Sequence, residues 1–279
     1  MANQIHWFPG HMSKALKEIE EKIKTVDVVI EILDARAPFS SINEELEKLI
    51  NNKKKLLILS KIDLSDRNVI NKQLAKLKEL YQDVLLLNLT DNNVGKLIAN
   101  SVNKLGEDKR KKEIAKGMKP QPIRAMIIGI PNVGKSSLIN RLANRRAAGV
   151  QNKPGFTRGE QWIKVNKDFL LMDTPGVLPM NYENKKKAAN LALIGAIREE
   201  ILPNEDLANI LCNYLKNNYP DALKERFGLE EITDYHEVCL SIANSRKLIS
   251  NGQVDISRAY SLLLKEFKDG KLGQISLEK

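Results

Sequence analysis

Residues 129–136, GIPNVGKS, place Gly129, Gly134, Lys135 and Ser136 at the spacing G-x-x-x-x-G-K-[ST]. That spacing suits the handling of phosphates. The glycines let the backbone turn inward, and successive N–H groups then face an anion at the start of a helix. Asn132, Val133, Gly134, Lys135, Ser136 and Ser137 form the candidate cradle. Lys135 would reach the β- and γ-phosphates of a nucleotide and count as a catalytic group, and the Ser136 hydroxyl would hold Mg2+. A second magnesium anchor should end a neighbouring apolar strand. LLMDTPG (170–176) supplies it in Asp173, and the N–H of Gly176 can then sense a γ-phosphate. Alone, Asp-x-Pro-Gly is also good β-turn chemistry. Between the two lies NKPGFTRGEQ (152–161), with Thr157 as the candidate switch threonine. It would cap Mg2+ when a triphosphate is bound, and so serve catalysis, nucleotide binding and metal binding together.

A carboxylate that accepts from guanine N1–H and the 2-amino group selects guanine, because adenine offers no such pair of donors. SKID (60–63) ends an apolar run with Lys61, whose stem can lie along a base, and Asp63, placed to read it. The usual tetrapeptide begins with asparagine, and the shorter Ser60 hydroxyl makes fewer contacts. A polar strand end followed by a helix cap is the plain alternative. After the next apolar run comes NLTD, where Asn88 and Leu89 are candidates to present a backbone N–H to guanine O6. Base-reading residues ordinarily follow a phosphate loop; here they precede it by almost seventy residues. A parallel sheet keeps no record of where its chain began, so a rearranged order can rebuild the same site.

Hydrolysis needs a group that orients the attacking water. The residue after DTPG is Val177, which neither donates nor accepts. His11, in WFPGHM (7–12), is one candidate, since an imidazole can position or polarise water near neutral pH. A capping or surface histidine beside the first helix is the other reading. Asn132 also has two readings. Its amide oxygen could coordinate K+ beside the phosphates and add positive charge to the transition state. Equally, it could be a loop asparagine that tolerates a left-handed backbone.

These loops need a scaffold. Apolar runs at 26–35, 54–60, 84–90 and 123–129 read as buried parallel strands, separated by helices near 41–52, 66–81 and 94–115. Residues 160–166 and 168–174 read as a hairpin joining that sheet. Met12, Ala15, Leu16, Ile19, Ile23 and Val26 recur at helical spacing ahead of the first strand. Past Pro179 only helices are expected. Leu207, Ile210, Leu211, Tyr214 and Leu215 share one face, as do Ile256, Ala259, Tyr260, Leu263, Leu264 and Phe267. The expected fold is therefore α/β, with a phosphate-binding domain at 1–179 and a helical domain at 180–279.

Composition fits a soluble protein: 42% hydrophobic and 29% charged residues among 279, with a net charge of +10. The charge points to a polyanionic partner, and KRKKEIAKGMK (109–119), Arg141, Arg145, Arg146, Lys153, Arg158 and Lys185–Lys187 concentrate it. Aromatic residues are only 5%, which favours recognition of RNA shape and backbone over base stacking. No apolar run is long enough to span a bilayer, and no secretion signal opens the chain, so a cytoplasmic location and no membrane partner are expected. Cys212 and Cys239 read as buried thiols.

WFPGHM, DARAP (34–38), SKID, GIPNVGKSSLIN (129–140), PGFTRGEQW (154–162), DTPG and the stretch 255–273 together resemble the circularly permuted GTPases, specifically the ribosome biogenesis GTPase A family. The resemblance covers essentially the whole chain, with Ser60 and NLT as departures. It implies a P-loop GTPase sheet with permuted motif order and a C-terminal all-helical domain. It also implies hydrolysis of GTP to GDP and phosphate with Mg2+, a water-positioning role for His11, and K+ at Asn132. The implied partner is a large ribosomal subunit precursor, contacted through rRNA and ribosomal proteins by a protein that is a monomer off the ribosome. The particle would stimulate hydrolysis, and the factor would promote late maturation. Two further readings stay open on the residues alone: an ATP-using phosphoryl-transfer enzyme, and an RNA-binding scaffold with a weak nucleotide site.

Overall fold

A computed structural model describes residues 10–143, 162–179, 184–197, 202–232, 234–250 and 252–279, with the side chains of residues 10 and 11 outside the described set. Helix α1 (Gly10–Lys22) leads through a short 3-10 turn into β1 (Val28–Asp34). Then follow α2 (Pro38–Ser41), α3 (Glu44–Ile50), β2 (Lys54–Ser60), α4 (Arg67–Leu80), β3 (Asp83–Leu86), α5 (Val94–Leu105), α6 (Glu107–Ala115), β4 (Ile123–Ile128) and α7 (Lys135–Ala143). The hairpin β5 (Trp162–Asn166) and β6 (Phe169–Met172) completes the sheet.

Six strands run in the order β3-β2-β1-β4-β6-β5. All neighbours are parallel except the β5–β6 pair. Sequence order and spatial order disagree as a permuted fold requires: β4, which feeds the phosphate loop, is central, between β1 and β6. Strand β1 is buried along its whole length, the mark of a parallel strand covered on both faces. Alternate residues serve opposite layers. Val28, Ile30 and Ile32 join α5 residues Val94, Ile98 and Val102 in one cluster. Val29 meets Ala15 and Ile19 of α1 and Leu46 and Ile50 of α3. Leu33 lies with Leu57, Leu59, Ile70 and Leu77 under α4.

Beyond the sheet come α8 (Lys185–Leu193), α9 (Asn204–Asn218), α10 (Pro220–Phe227), α11 (Tyr235–Ser245) and α12 (Ile256–Lys268). Leu207, Leu211 and Leu215 of α9, Val238 and Ile242 of α11, and Leu263 and Leu264 of α12 are buried together. Arg226 grips Glu266 with two hydrogen bonds of 2.8 Å.

Several local expectations need correction. The helix expected over 94–115 is two helices, α5 and α6, separated at Gly106. The one near 41–52 is α2 and α3, parted at Ile42 and Asn43, where the Asn43 side chain caps α3. Ile210 shares the apolar face of α9 with Leu207, Leu211 and Leu215 yet is 42% exposed. Strands do not stop at 179: Ile249–Ser250 (β7) and Gln253–Val254 (β8) form a small antiparallel hairpin. Asn251-Gly252 at its centre is a strong two-residue hairpin signal. Among the described residues, no helix is long and apolar enough to cross a membrane.

Candidate functional site

Parallel strands deliver their carboxyl ends, and the loops that follow, to one edge of the sheet. Here β1 delivers Asp34–Ala37, β2 delivers Lys61–Asp66, β3 delivers Asn88–Asp91, β4 delivers the phosphate loop and β6 delivers Asp173–Gly176. Five segments far apart in sequence therefore gather at one edge of the sheet.

The phosphate loop joins β4 to α7, and Lys135 is the first residue of that helix. Gly134 has φ +104°, and a Cβ there would sit 2.7 Å from Leu89 Cδ1. Only glycine fits both the angle and that neighbour. Lys135 Nζ donates to the carbonyls of Gly129 and Ile130, at 3.1 Å each. Burial depresses its pKa to about 8, partly opposed by the nearby Asp173 carboxylate. An ammonium has three donors, so one stays available to a phosphate oxygen. Gly176 lies against it: a Cβ at Gly176 would meet Lys135 Nζ at 2.9 Å and Pro131 backbone at 3.1 Å. Lys135, Ser136, Asn132, Asp173, Thr174 and Gly176 line one cleft of about 600 Å3. Partial burial raises the Asp173 pKa, against the pull of the Thr174 N–H and Lys135.

At the end of β2, Ser60 is fully buried. Its Oγ lies 2.6 Å from the carbonyl of Val133 in the phosphate loop and 3.0 Å from that of Leu33. One hydroxyl hydrogen serves one acceptor at a time, and the shorter contact ties strand β2 directly to the phosphate loop. Lys61 has a left-handed backbone, φ +57°, and its Nζ pairs with Asp34 Oδ2 at 2.9 Å. Asp63 is exposed in the short 3-10 turn that follows. Asn88 Oδ1 accepts from the N–H of Thr90 at 3.0 Å and from its hydroxyl at 2.8 Å, a local turn that presents Leu89 to Gly134. Arg141 of α7 donates to the carbonyl of Asp91, a second tie between that loop and the phosphate side.

Asn132 has φ +60°, the left-handed conformation that one of its two readings expected. Its Nδ2 donates to the carbonyl of Gly195 at 2.7 Å, just past α8. That bond engages the amide nitrogen and leaves the oxygen as the atom able to meet a cation. Val177 is buried among Met126, Ile128 and Met172, so its position is part of the core. Its carbonyl accepts from Asn43 Nδ2 at 2.9 Å. His11 is the second residue of α1, with its side chain outside the described residues, and Thr157 lies outside them altogether.

Sequence reasoning missed three residues that brace these loops from behind. Arg36 is 1% exposed and grips Asp34 with Nε at 3.0 Å and Nη2 at 2.8 Å. It also donates to the last turns of two distant helices, at Lys268 O (3.2 Å) and Ile194 O (3.3 Å). Burial alone would raise the Asp34 pKa; Arg36 and then Lys61 more than reverse that, and the net shift is downward. Asn43 was readable as a helix cap before two glutamates, but its reach to Val177 was not. Glu278, whose carboxylate takes the N–H groups of Phe39 and Ser40 at 2.8 Å each, had no signal in sequence.

The family described as 50S ribosome-binding GTPase matches residues 124–243. Ribosome biogenesis GTPase A of Bacillus cereus is 41% identical over 276 residues, spanning 98% of this chain and 93% of its own length. The same-named protein of Bacillus pumilus is 39% identical, spanning 99% and 98%. Among solved structures, GNP-bound YlqF from T. maritima shares 25% identity with a TM-score of 0.68, over 95% of this chain and 98% of that one. With such identity along nearly the whole length, and the phosphate loop at the edge of a sheet built in permuted order, this chain belongs to the ribosome biogenesis GTPase A family and is a GTP-hydrolysing enzyme of ribosome biogenesis.

Proposed function

We propose that this GTPase binds a large ribosomal subunit precursor in its GTP state, promotes a late maturation step, and leaves after hydrolysis that the particle itself stimulates. The observation that carries the nucleotide half of this reading is the Ser60–Val133 hydrogen bond. It clamps the base-reading strand to the phosphate loop, so Asp63 and Lys135 can hold opposite ends of one guanosine triphosphate. Asp63 reads N1–H and the 2-amino group, Lys61 flanks the base, and the Asn88–Leu89 backbone meets O6. The N–H groups from Asn132 to Ser137 and the Lys135 ammonium surround the phosphates.

The donor set suits Mg2+. Ser136 and Asp173 offer a hydroxyl and a carboxylate at the same cleft, and hard oxygen donors are what that ion takes. Among the described residues no three carboxylates, imidazoles or thiolates converge, so triphosphate and water would complete the shell, with Thr157 as the switch ligand. When bound, the ion neutralises charge that develops on the phosphates. Thr157 and Gly176 read the γ-phosphate. His11 orients the attacking water, a task that buried Val177 cannot perform. Asn132 Oδ1 is the candidate K+ ligand, and turnover should then rise when K+ replaces Na+.

Residues 180–279, with the basic stretch 109–119, form the proposed surface for rRNA and ribosomal proteins. The protein would act in the cytoplasm, as a monomer when off the ribosome. The deciding experiment is sedimentation of the full chain with large-subunit precursors in GTP, GDP or a non-hydrolysable analogue, paired with turnover assays with and without particles. Co-sedimentation should require the triphosphate state, and particles should raise turnover in wild type but not in His11→Ala. Binding that ignores the nucleotide, or turnover that ignores the particle, would sink the switch.

A further inference from the structure

We propose that residues 274–278 are a strap that positions the base-reading loop, and so set how strongly Asp63 selects guanine. The proposal rests on the assignment of Asp63 as the base reader. Consecutive strap residues bracket that loop through its backbone. Gln274 Nε2 donates to the carbonyl of Asp63 at 3.3 Å, the Ile275 N–H donates to the carbonyl of Leu64 at 3.0 Å, and the Asp66 N–H donates to Ser276 Oγ at 3.2 Å. The strap is itself anchored. Ile275, Ser276 and Leu277 are at most 2% exposed. The Leu277 N–H donates to the carbonyl of Arg36 at 2.7 Å. The Ser276 carbonyl accepts from the Tyr214 hydroxyl at 2.5 Å. Glu278 holds the N–H groups of Phe39 and Ser40.

The loop needs such support. Lys61 opens it in a backbone conformation that residues with a Cβ rarely adopt. Ser60 stands where the usual tetrapeptide has asparagine, and its only hydroxyl is engaged with Leu33 and Val133, away from the turn. Within the turn, the Leu64 N–H reaches Lys61 O at 3.0 Å and Ser65 Oγ reaches Ile62 O at 3.2 Å. The strap contacts Asp63, Leu64 and Asp66 from outside it. Asp63 must present two carboxylate oxygens to two donors, and hydrogen bonds weaken steeply with misalignment. Backbone atoms held at Asp63 itself and at Leu64 and Asp66 after it fix that presentation.

Inosine diphosphate lacks the 2-amino group, so the ratio of GDP to IDP affinity reads the Asp63 contact while the phosphate contacts cancel. The experiment is calorimetric titration of the full chain with each nucleotide. The first variant is Gln274→Ala with Ser276→Ala, which deletes one donor and one acceptor but keeps the buried apolar strap side chains. The second is Ile275→Pro, which removes the N–H to Leu64. The GDP:IDP ratio should fall about fivefold in the double variant and further in Ile275→Pro, with IDP affinity changed less than about twofold. A wild-type ratio in the folded double variant overturns the strap, as does an equal loss for both nucleotides, which would mark a purely structural role. If Ile275→Pro does not fold, the double variant decides. Asp63→Asn is the reference: if it leaves the ratio unchanged, the base-reader assignment falls, and the strap proposal with it. A collapsed ratio there beside an unchanged ratio in the strap variants rejects the strap alone.

Discussion

Two buried side chains show how much a single polar atom decides. The Ser60 hydroxyl makes a direct hydrogen bond between the SKID tetrapeptide and the phosphate loop. Ser60→Ala leaves the Val133 carbonyl without that donor in a buried setting, where the cost is about 1–3 kcal/mol. Urea unfolding should show a loss of that size, and GDP titration a weaker affinity. Glu31 lies in the middle of β1, fully buried, with Tyr81 donating to its Oε2 at 2.6 Å. Its Oε1 and Glu47 Oε1 have no donor among the described residues, and one proton shared between the two carboxyls would satisfy both. Burial first, then Glu47, hold the Glu31 pKa well above its ordinary 4.5, against the opposing influence of Tyr81 and Lys55. Above pH 4.5 the folded chain keeps a proton that the unfolded chain has released, so stability falls as pH rises toward the raised value. Glu31→Gln can accept from Tyr81 and donate to Glu47 without titrating. The fall in melting temperature from about pH 5 upward should flatten in that variant; a slope identical to wild type would refute the shared proton.

At the scale of elements, the sheet was legible because its central parallel strands are buried on both faces and carry apolar runs: KKLLILS became β2 residue for residue. The phosphate loop was legible because its constraint is local, a turn between one strand and one helix. What escaped was long-range. Arg36 sits in the quoted DARAP, yet its value lies in carbonyls 158 and 232 positions away. The apolar periodicity of α9 groups Ile210 with its buried face, although burial depends on which neighbours arrive, and that position stays 42% exposed. Arg36 satisfies last-turn carbonyls of α8 and α12 while neutralising Asp34, which also holds Lys61. Arg36→Met keeps much of the side-chain volume but breaks a buried pair. It should cost about 3–5 kcal/mol by urea unfolding, and a cost under about 1 kcal/mol would show the pair to be dispensable.

For the whole molecule, the net charge of +10 is not spread over equivalent groups. Lys109 pairs with Asp27 at 2.8 Å, and Lys187 donates to the carbonyl of Ile42 at 3.0 Å; both hold the fold together. Lys112, Lys116 and Lys119 are exposed, with no ion pair among the described residues. On the proposed RNA contact, replacing these three by alanine should lower the slope of log affinity for ribosomal particles against log salt by roughly 2–3. Lys109→Ala should lower stability and leave that slope nearly unchanged. The contacts that span the chain also bear on its synthesis. The Asp63 and Asp66 backbones bond to partners 211 and 210 residues further along. During translation the strands that carry them leave the exit tunnel first, and these partners follow only after more than two hundred further residues, 211 and 210 positions on. A nascent chain therefore holds these two backbones without their distant partners while it is still attached to the machine that builds it.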